Sequence, residues 1–183
     1  MLLVVSCGKP LETKNLYNID SLVNAQVDFL ESRNARLRKM AFISGKKEER
    51  VFTPSDSAAW NTELEIFRQL DMINKPVNLG SYIVDDGLYD PSSNLTVKAI
   101  SAIENLPVKY VRIFYQDQLQ KPRKIEALYD DQNELYKSGR ILTMEFQQIN
   151  NKSILTSYSV KGGQKMIMGD SIAFLIEGKI MID

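Results

Sequence analysis

The period of the apolar residues changes near Ser81, and this change constrains the fold more than any other feature. Before Ser81 apolar side chains recur every three or four positions, as in amphipathic helices, and after it they alternate with polar ones. The clearest alternating run is Arg140–Gln148, in which Leu142, Met144 and Phe146 share one face of a strand. The chain is therefore predicted to be helical first and β-structured afterwards.

Eight strands are predicted from these runs: Ser81–Asp85, Leu95–Ala102, Val108–Gln116, Lys124–Tyr129, Arg140–Gln148, Ile154–Val160, Gln164–Met168 and Ile172–Glu177. Turn residues at Asn150–Lys152, Gly162–Gly163 and Gly169–Asp170 leave room for hairpins but not for parallel crossovers. An antiparallel sheet of about eight to ten strands does not stay flat, so we expect it to curl into a half-barrel-like shape.

A long N-terminal helix is predicted over residues 18–39, where Ile19, Val23, Val27 and Leu37 fit one helical face. Asn18 can cap its start. A basic group in its last turns suits the negative end of the helix dipole and could alternatively contact phosphate headgroups or a partner. This group consists of Arg33, Arg36, Arg38 and Lys39.

A hairpin and a second, shorter helix are predicted next. Met40–Ser44 and Glu49–Thr53 read as two strands joined by a charged tip, 45–48. Residues 54–57 then offer several caps for a helix that carries Trp60 and ends before Asn74-Lys75-Pro76. The fold class expected is α+β, with the curled sheet packed on the long helix.

The chain has 183 residues, which suits one domain, expected over residues 18–183. It has no histidine, which excludes Ser-His-Asp and Cys-His nucleophile systems and histidine-based zinc sites. Its single cysteine allows no internal disulfide. The 23 basic and 23 acidic residues balance, so we expect no nucleic-acid partner. No metal or cofactor is predicted.

Three carboxylates in residues 85–91, those of Asp85, Asp86 and Asp90, are the best candidates for a cation-binding or acid–base loop. The spacing is not that of an EF-hand, and Asp with Gly and Pro is also common in ordinary turns. Gly162–Lys165 superficially resembles a phosphate loop, but the β-like sequence after it favours a hairpin turn.

Aromatic residues alternate along the predicted strands and could form an apolar cavity or simply the core. A curled sheet lined by aromatic and methionine side chains can enclose an apolar ligand, as in half-barrel lipoprotein carriers. The candidate cavity residues are Tyr110, Phe114, Tyr129, Phe146, Tyr158 and Phe174.

The first nine residues, MLLVVSCGK, resemble the end of a bacterial lipoprotein signal, in which aliphatic residues precede a small residue and an acylated cysteine. This resemblance implies that residues 1–7 are a signal-peptide remnant, that Cys7 is lipidated and that residues 8–17 form a tether. The alternative is that Leu2–Val5 form a buried first strand and Cys7 is a buried thiol.

Two further segments are similar to an uncharacterised family of small Bacteroidota-type lipoproteins. The first is Trp60-x-x-Glu63-Leu64-x-x-Phe67-x-x-x-Asp71-x-x-Asn74-Lys75-Pro76, followed by Tyr82. The second is Tyr158-Ser159-Val160-Lys161-Gly162-x-Gln164-Lys165. The family has no known activity, so the resemblance bears on location and not on mechanism.

The function expected from the sequence is a lipid-anchored accessory or binding domain without catalytic activity. It would lie in the cell envelope, in the outer membrane facing the periplasm, with the membrane and an envelope protein as partners. Two alternatives remain open: a carrier of a lipid or other apolar ligand, and a carboxylate-dependent hydrolase at residues 85–90.

Overall fold

The computed structural model of the protein describes residues 15–78, 80–132, 136–166 and 170–182. Its helices are α1 (Ile19–Ser32) and α2 (Ser57–Arg68), with 3-10 turns at Gln69–Asn74 and Pro76–Asn78. Its strands are β1 (Arg36–Ile43), β2 (Lys46–Phe52), β3 (Tyr82–Asp90), β4 (Leu95–Ala102), β5 (Val108–Tyr115), β6 (Pro122–Gln132), β7 (Tyr136–Ile149), β8 (Lys152–Met166) and β9 (Ser171–Met181).

One open, curled antiparallel sheet contains all nine described strands, in the order β2-β1-β9-β8-β7-β6-β5-β4-β3. Strands β3 to β9 form a meander, and the β1–β2 hairpin pairs with β9 at the end of the chain. The prediction of an α+β fold with a curled antiparallel sheet is confirmed. The pairing of β1 with β9 joins the predominantly helical first part of the chain to the β-structured part.

The long N-terminal helix predicted over residues 18–39 is wrong, because α1 spans only the 14 residues Ile19–Ser32. Leu37 is fully buried in β1 instead of continuing the helical face. The basic residues Arg36, Arg38 and Lys39 also lie in β1, so they do not complement the helix dipole.

A Schellman arrangement ends α1. Asn34 has a positive φ of 47°, and its amide donates to the Glu31 carbonyl at 2.9 Å. The amide of Ala35 donates to the Leu30 carbonyl at 3.0 Å. Asparagine tolerates the left-handed conformation better than most residues, so Asn34 turns the chain out of the helix.

The predicted hairpin at residues 40–53 exists, but its turn is tighter than expected. Ser44 and Gly45 form the connection with positive φ angles of 48° and 84°. Residues 46–48, predicted to form the charged tip, belong to β2. The hairpin therefore extends as two regular strands along the edge of the sheet.

Helix α2 begins where the sequence predicted, after Asp56, whose carboxylate accepts a hydrogen bond from the Ala59 amide at 2.8 Å. It continues as 3-10 turns that reach Pro76 and Asn78. Trp60, in its first turn, is fully buried. The helices and turns cover one face of the sheet, which we call the helix face.

Most strand predictions are confirmed, and Leu95–Ala102 matches β4 at both ends. Asn150 and Asn151, both with positive φ, form the predicted hairpin between β7 and β8. The turn predicted at Gly162–Gly163 is wrong, because both residues lie within the continuous strand β8. Gly169 of the third predicted turn lies outside the described residues.

The core lies between the helix face and the two helices. Gln26 of α1 is a buried polar residue whose carbonyl oxygen accepts a hydrogen bond from the Leu155 amide at 2.7 Å. Its side-chain amide donates to the Ser153 carbonyl at 3.1 Å. These bonds fix α1 to β8 next to Thr156. At Thr156 the strand register between β8 and β7 shifts.

The predicted signal remnant 1–7, with Cys7, and residues 8–14 of the predicted tether lie outside the described residues. Leu16 and Tyr17 pack against the core, and the Leu16 amide donates to Asn74 Oδ1 at 2.8 Å. The folded part therefore includes residues that the sequence assigned to the tether. Among the described helices, none combines the length and apolarity needed to cross a membrane.

Candidate functional site

A cleft of about 460 Å³ lies between α2 and the helix face of the sheet. Strands β1, β9, β8 and β7 form its floor, and α2 forms one wall. We call it the α2 cleft. Its lining residues are Lys39, Thr62, Glu63, Ile66, Ser138, Arg140, Tyr158, Val160, Gln164, Phe174 and Ile176.

A cross-strand row of side chains forms one end of this cleft. The antiparallel register places Tyr129, Arg140, Gly162, Phe174 and Ile43 side by side on β6, β7, β8, β9 and β1. Neighbouring residues in such a row are close enough to contact each other. An arginine therefore lies between two aromatic side chains on the helix face, with a glycine beside it.

The guanidinium of Arg140 stacks on the ring of Tyr129, with 5.2 Å between the guanidinium carbon and the ring centroid. Within the described residues it forms no ion pair with any carboxylate. A cation over an aromatic ring is attracted to the ring face, and the guanidinium N–H groups remain able to donate. Arg140 is therefore a partly buried cation that can accept an anionic partner.

Because Gly162 has no side chain, the Arg140 side chain can occupy the space beside it. A Cβ at position 162 would lie 3.1 Å from both Cα and Cγ of Arg140, and it would overlap the Gly139 carbonyl oxygen. These distances are shorter than ordinary van der Waals contacts. A side chain at position 162 would displace Arg140 or the backbone of β7.

A polar cluster formed by Lys39, Glu63 and Tyr158 lies at the other end of the cleft. Lys39 Nζ is 2.6 Å from Glu63 Oε1, and the Tyr158 hydroxyl donates a short hydrogen bond to the same carboxylate. The Glu63 side chain is only 12% exposed. Both partners of Glu63 thus compensate the burial of its charge.

Burial raises the pKa of the Tyr158 hydroxyl, and its hydrogen bond to Glu63 raises the pKa further. The ring also packs edge-on against Phe67 of α2, with 5.7 Å between the centroids. Tyr158 therefore stays protonated and already has an acceptor. This cluster links α2 to the sheet and shapes one end of the cleft.

The apolar surface of the cleft lies between the two polar ends. Val160 and Ile176 are paired on β8 and β9 and form the floor, while Ile66 of α2 faces them. Phe174 precedes Ile176 by two positions and lies on the same face. The cleft therefore combines an apolar centre with charged groups at its ends, as many ligand sites do.

A second hollow of about 310 Å³ continues the cleft along β1 and β2. Lys39 lines both spaces, and Ala41, Glu48, Arg50 and Phe52 line the second. Arg50 lies opposite Lys39 in the strand register. The charged residues lining the two spaces are three cations and two carboxylates, so the combined surface has a small positive excess: Lys39, Arg50 and Arg140 against Glu48 and Glu63.

A wider groove of about 580 Å³ crosses the opposite face of the sheet. Its charged residues are well exposed, as in the pair Arg38 and Glu49, which are 3.9 Å apart with side chains 53% and 43% exposed. Glu145 and Glu177 are exposed too. We interpret this groove as the solvated face of the sheet, because no described element covers it.

The three predicted site aspartates lie in or at the end of the edge strand β3, not in a loop, and they have separate environments. Asp85 is exposed, and Asp86 accepts a hydrogen bond from the Tyr115 hydroxyl at 3.0 Å. Asp90 accepts bonds from the hydroxyls of Ser93 and Ser92, which lower its pKa. No group of three metal-ligating side chains occurs among the described residues.

The six candidate cavity aromatics divide between the two faces. Tyr110 and Phe114 lie on the face opposite the helices, since their strand neighbours Val111 and Ile113 face the helices. The others lie on the helix face: Tyr129, Phe146, Tyr158 and Phe174. Of these six, Tyr158 and Phe174 line the α2 cleft.

Arg140 is not among the site residues predicted from the sequence, although the sequence contains a signal for it. Arg140 precedes Leu142, Met144 and Phe146 in steps of two and so occupies the same strand face as three core residues. A charge at an inward-facing position requires a partner or a ligand. Glu63 and Gly162, by contrast, belong to the segments 60–76 and 158–165, which were singled out in the sequence, and the fold brings both segments to this cleft.

A scan against protein-family models and searches of curated proteins and of solved structures find no match for this chain. The fold and the α2 cleft therefore define the protein at the level of an open-sheet α+β domain with an amphipathic cleft.

Proposed function

We propose that this protein is a non-catalytic binding domain whose ligand occupies the α2 cleft. We further propose that Cys7 carries a lipid anchor, which holds the domain at the outer membrane facing the periplasm. The observation that carries the binding function is Arg140, a partly buried cation without a carboxylate partner among the described residues, at one end of an apolar cleft. A group of this kind is stabilised when an anionic ligand occupies the site.

The polar groups of the cleft support binding over catalysis. Glu63 is engaged by Lys39 and Tyr158, and the Tyr158 pKa is raised, so neither oxygen is set up to attack a substrate. The aspartates of β3 support a hydrolase poorly, since their separate partners do not orient two carboxylates toward one point.

A cleft-filling variant tests the binding function. Thr62 lies on the exposed side of α2 at the cleft, so Thr62→Trp should fill the cleft without disturbing the core. We expect native mass spectrometry of the gently extracted protein to show a bound small molecule that this variant loses. Gln147→Trp, at an exposed position on the opposite face, is the control. Equal ligand occupancy in both variants would contradict binding in the cleft.

The anchor requires a separate test. Metabolic labelling with an alkyne fatty acid should label the full-length protein and place it in the membrane fraction, and Cys7→Ala should abolish both results. Two or more acyl chains would hold the domain durably, since each buried CH₂ contributes about 0.8 kcal/mol. An unlabelled protein whose distribution does not change in Cys7→Ala would refute the anchor.

A carrier of a wholly apolar ligand is the second candidate function. The hollow beside β1 and β2 favours it, because Phe52 extends the apolar surface beyond Phe174 and Ile176 in a half-barrel-like arrangement. An accessory role would instead require a protein partner in the envelope. Crosslinking of the acylated protein in membranes distinguishes these roles, because a specific partner favours the accessory role and a lipid-loaded monomer favours the carrier.

A further inference from the structure

We propose that the ligand of the α2 cleft is a single-chain anionic amphiphile, with a carboxylate or phosphate head on Arg140 and its chain along Phe174, Ile176 and Ile66. This inference rests on the proposed binding function and specifies the chemical class of the ligand. It follows from the positions of the charged and apolar groups that line the cleft.

Arg140 is the group in the cleft best placed to bind the head. The other two charged groups of the α2 cleft, Lys39 and Glu63, pair with each other at 2.6 Å and so attract a ligand charge only weakly. Arg140 has no such pair among the described residues, and it lies over the Tyr129 ring. A guanidinium binds carboxylate or phosphate oxygens through paired hydrogen bonds.

The apolar chain has a continuous path away from Arg140. Gly162 lies between Arg140 and Phe174 in the cross-strand row, so no side chain separates the head site from the Phe174 ring. Ile176 and Val160 follow on the floor, and Ile66 lies above them on α2. Beside Ile176 the path continues across β1 at Ala41 into the hollow that Phe52 also lines.

Two features argue against other ligand classes. A wholly neutral ligand would leave the Arg140 charge partly buried and without an anionic partner, which is unfavourable. A small polar anion would leave the partly exposed apolar side chains of Phe174 and Ile176 in contact with water. An amphiphile satisfies both parts of the site.

Calorimetric titration of the full 183-residue chain tests the assignment with four probes: dodecanoate, dodecyl phosphate, dodecanol and inorganic phosphate, all below their aggregation concentrations. We expect the two anionic amphiphiles to bind at least about tenfold more tightly than dodecanol, which lacks the charge-assisted hydrogen bonds. They should also bind at least about tenfold more tightly than inorganic phosphate, which lacks the apolar chain. The ratio between dodecanoate and dodecyl phosphate identifies which head group the site prefers.

Variants locate the head and the chain. Arg140→Gln should weaken dodecanoate binding at least about tenfold and leave dodecanol binding within about twofold. Arg112→Gln is the matched control, because Arg112 also stacks on a tyrosine, Tyr110, but lies on the opposite face and 3.7 Å from Glu126. Phe174→Ala should weaken all three twelve-carbon probes.

Different results would refute the anionic amphiphile as the ligand and the α2 cleft as a binding site. Equal affinity for dodecanol and dodecanoate, unchanged in Arg140→Gln but lost in Thr62→Trp, would overturn the anionic amphiphile and leave the cleft as a binding site. Dodecanoate binding that Thr62→Trp and Arg140→Gln both leave unchanged would overturn this inference, and so would the absence of binding by every amphiphile. A native ligand lost in Thr62→Trp would then still support the proposed function.

Discussion

The ring of Tyr158 occupies the space beside Gly178 that a side chain at position 178 would need. The two residues are paired on β8 and β9, and a Cβ on Gly178 would overlap the ring and its hydroxyl. The same ring packs against Phe67 and donates to Glu63, so Gly178 allows the contact between α2 and the sheet. This glycine thereby determines the shape of the α2 cleft.

Gly178→Ala should therefore destabilise the fold. We expect a loss of about 2 kcal/mol in the free energy of unfolding, because overpacking a tight core site costs about 1–3 kcal/mol. Urea unfolding measures the change. Gly163→Ala is the control, since its Cβ would approach only the Ile172 carbonyl oxygen, at 3.4 Å. Equal losses of stability in the two variants would show that the Tyr158 ring does not need the space beside Gly178.

Gln26→Leu should lower the free energy of unfolding by about 1–3 kcal/mol. The reason is that the buried Leu155 amide would lose its hydrogen bond to Gln26 Oε1. The partly buried Ser153 carbonyl would lose a donor as well. Urea unfolding measures the total cost, and hydrogen exchange should show faster exchange at the Leu155 amide in particular. An unchanged exchange rate at Leu155 would contradict the role assigned to Gln26.

Substitutions of Asn34 test the end of α1. Asn34→Ala should lower the free energy of unfolding by about 1 kcal/mol, because alanine has a higher cost in the left-handed conformation. Asn34→Gly should be neutral or slightly stabilising, since glycine adopts positive φ without strain. Thermal unfolding of both variants compares them directly. The opposite order of stabilities would show that this helix end does not depend on the left-handed residue.

Stability should fall at alkaline pH because of buried tyrosines. Burial raises the pKa of Tyr82 to about 12, and its hydroxyl donates to the Val108 carbonyl at 3.2 Å. Burial likewise raises the pKa values of Tyr17 and Tyr158. The folded state thus holds these protons at a pH where unfolded tyrosines, with a pKa of about 10, release them. This contribution is complete below about pH 10 and is lost as the pH rises through the folded pKa.

Absorbance at 295 nm and urea unfolding at several alkaline pH values check this expectation. The folded protein should show tyrosines that titrate late, whereas all of them should titrate near about pH 10 in concentrated urea. Tyr82→Phe should make the decline of stability with pH less steep. A free energy of unfolding that stays constant from about pH 9.5 to 11.5 would be inconsistent with these raised pKa values.

Local sequence signals predicted the parts of the fold that depend on local interactions. One of the several predicted cap residues, Asp56, caps α2, and Asn150–Asn151 forms the predicted hairpin, since both features depend on the residues themselves. The end of α1 was mispredicted because Leu37 fits the helical period, while Asn34, the residue that ends the helix, is not distinctive in sequence. The prediction of a turn at Gly162–Gly163 was wrong for a related reason. Glycine also occurs in strands where a neighbouring side chain approaches closely.

The candidate site was harder to predict from the sequence than these local elements, because it depends on tertiary contacts. Tyr129, Arg140, Gly162, Phe174 and Ile43 are far apart in the chain and become neighbours only through the register of five strands. A shift of one residue in any pairing would move its partner to the other face, and alternation alone does not specify the pairing.

The sequence by itself determined the class of the fold, the predominance of antiparallel strands and the exclusion of histidine chemistry, because period, turn length and composition act locally or over the whole chain. Only the tertiary structure decided that β1 pairs with β9, which aromatics face the helices, and that Arg140 lies in a cleft without a carboxylate partner among the described residues. These outcomes depend on the packing of α2 against one face of the sheet, which brings Glu63 to Tyr158 across 95 positions of the chain.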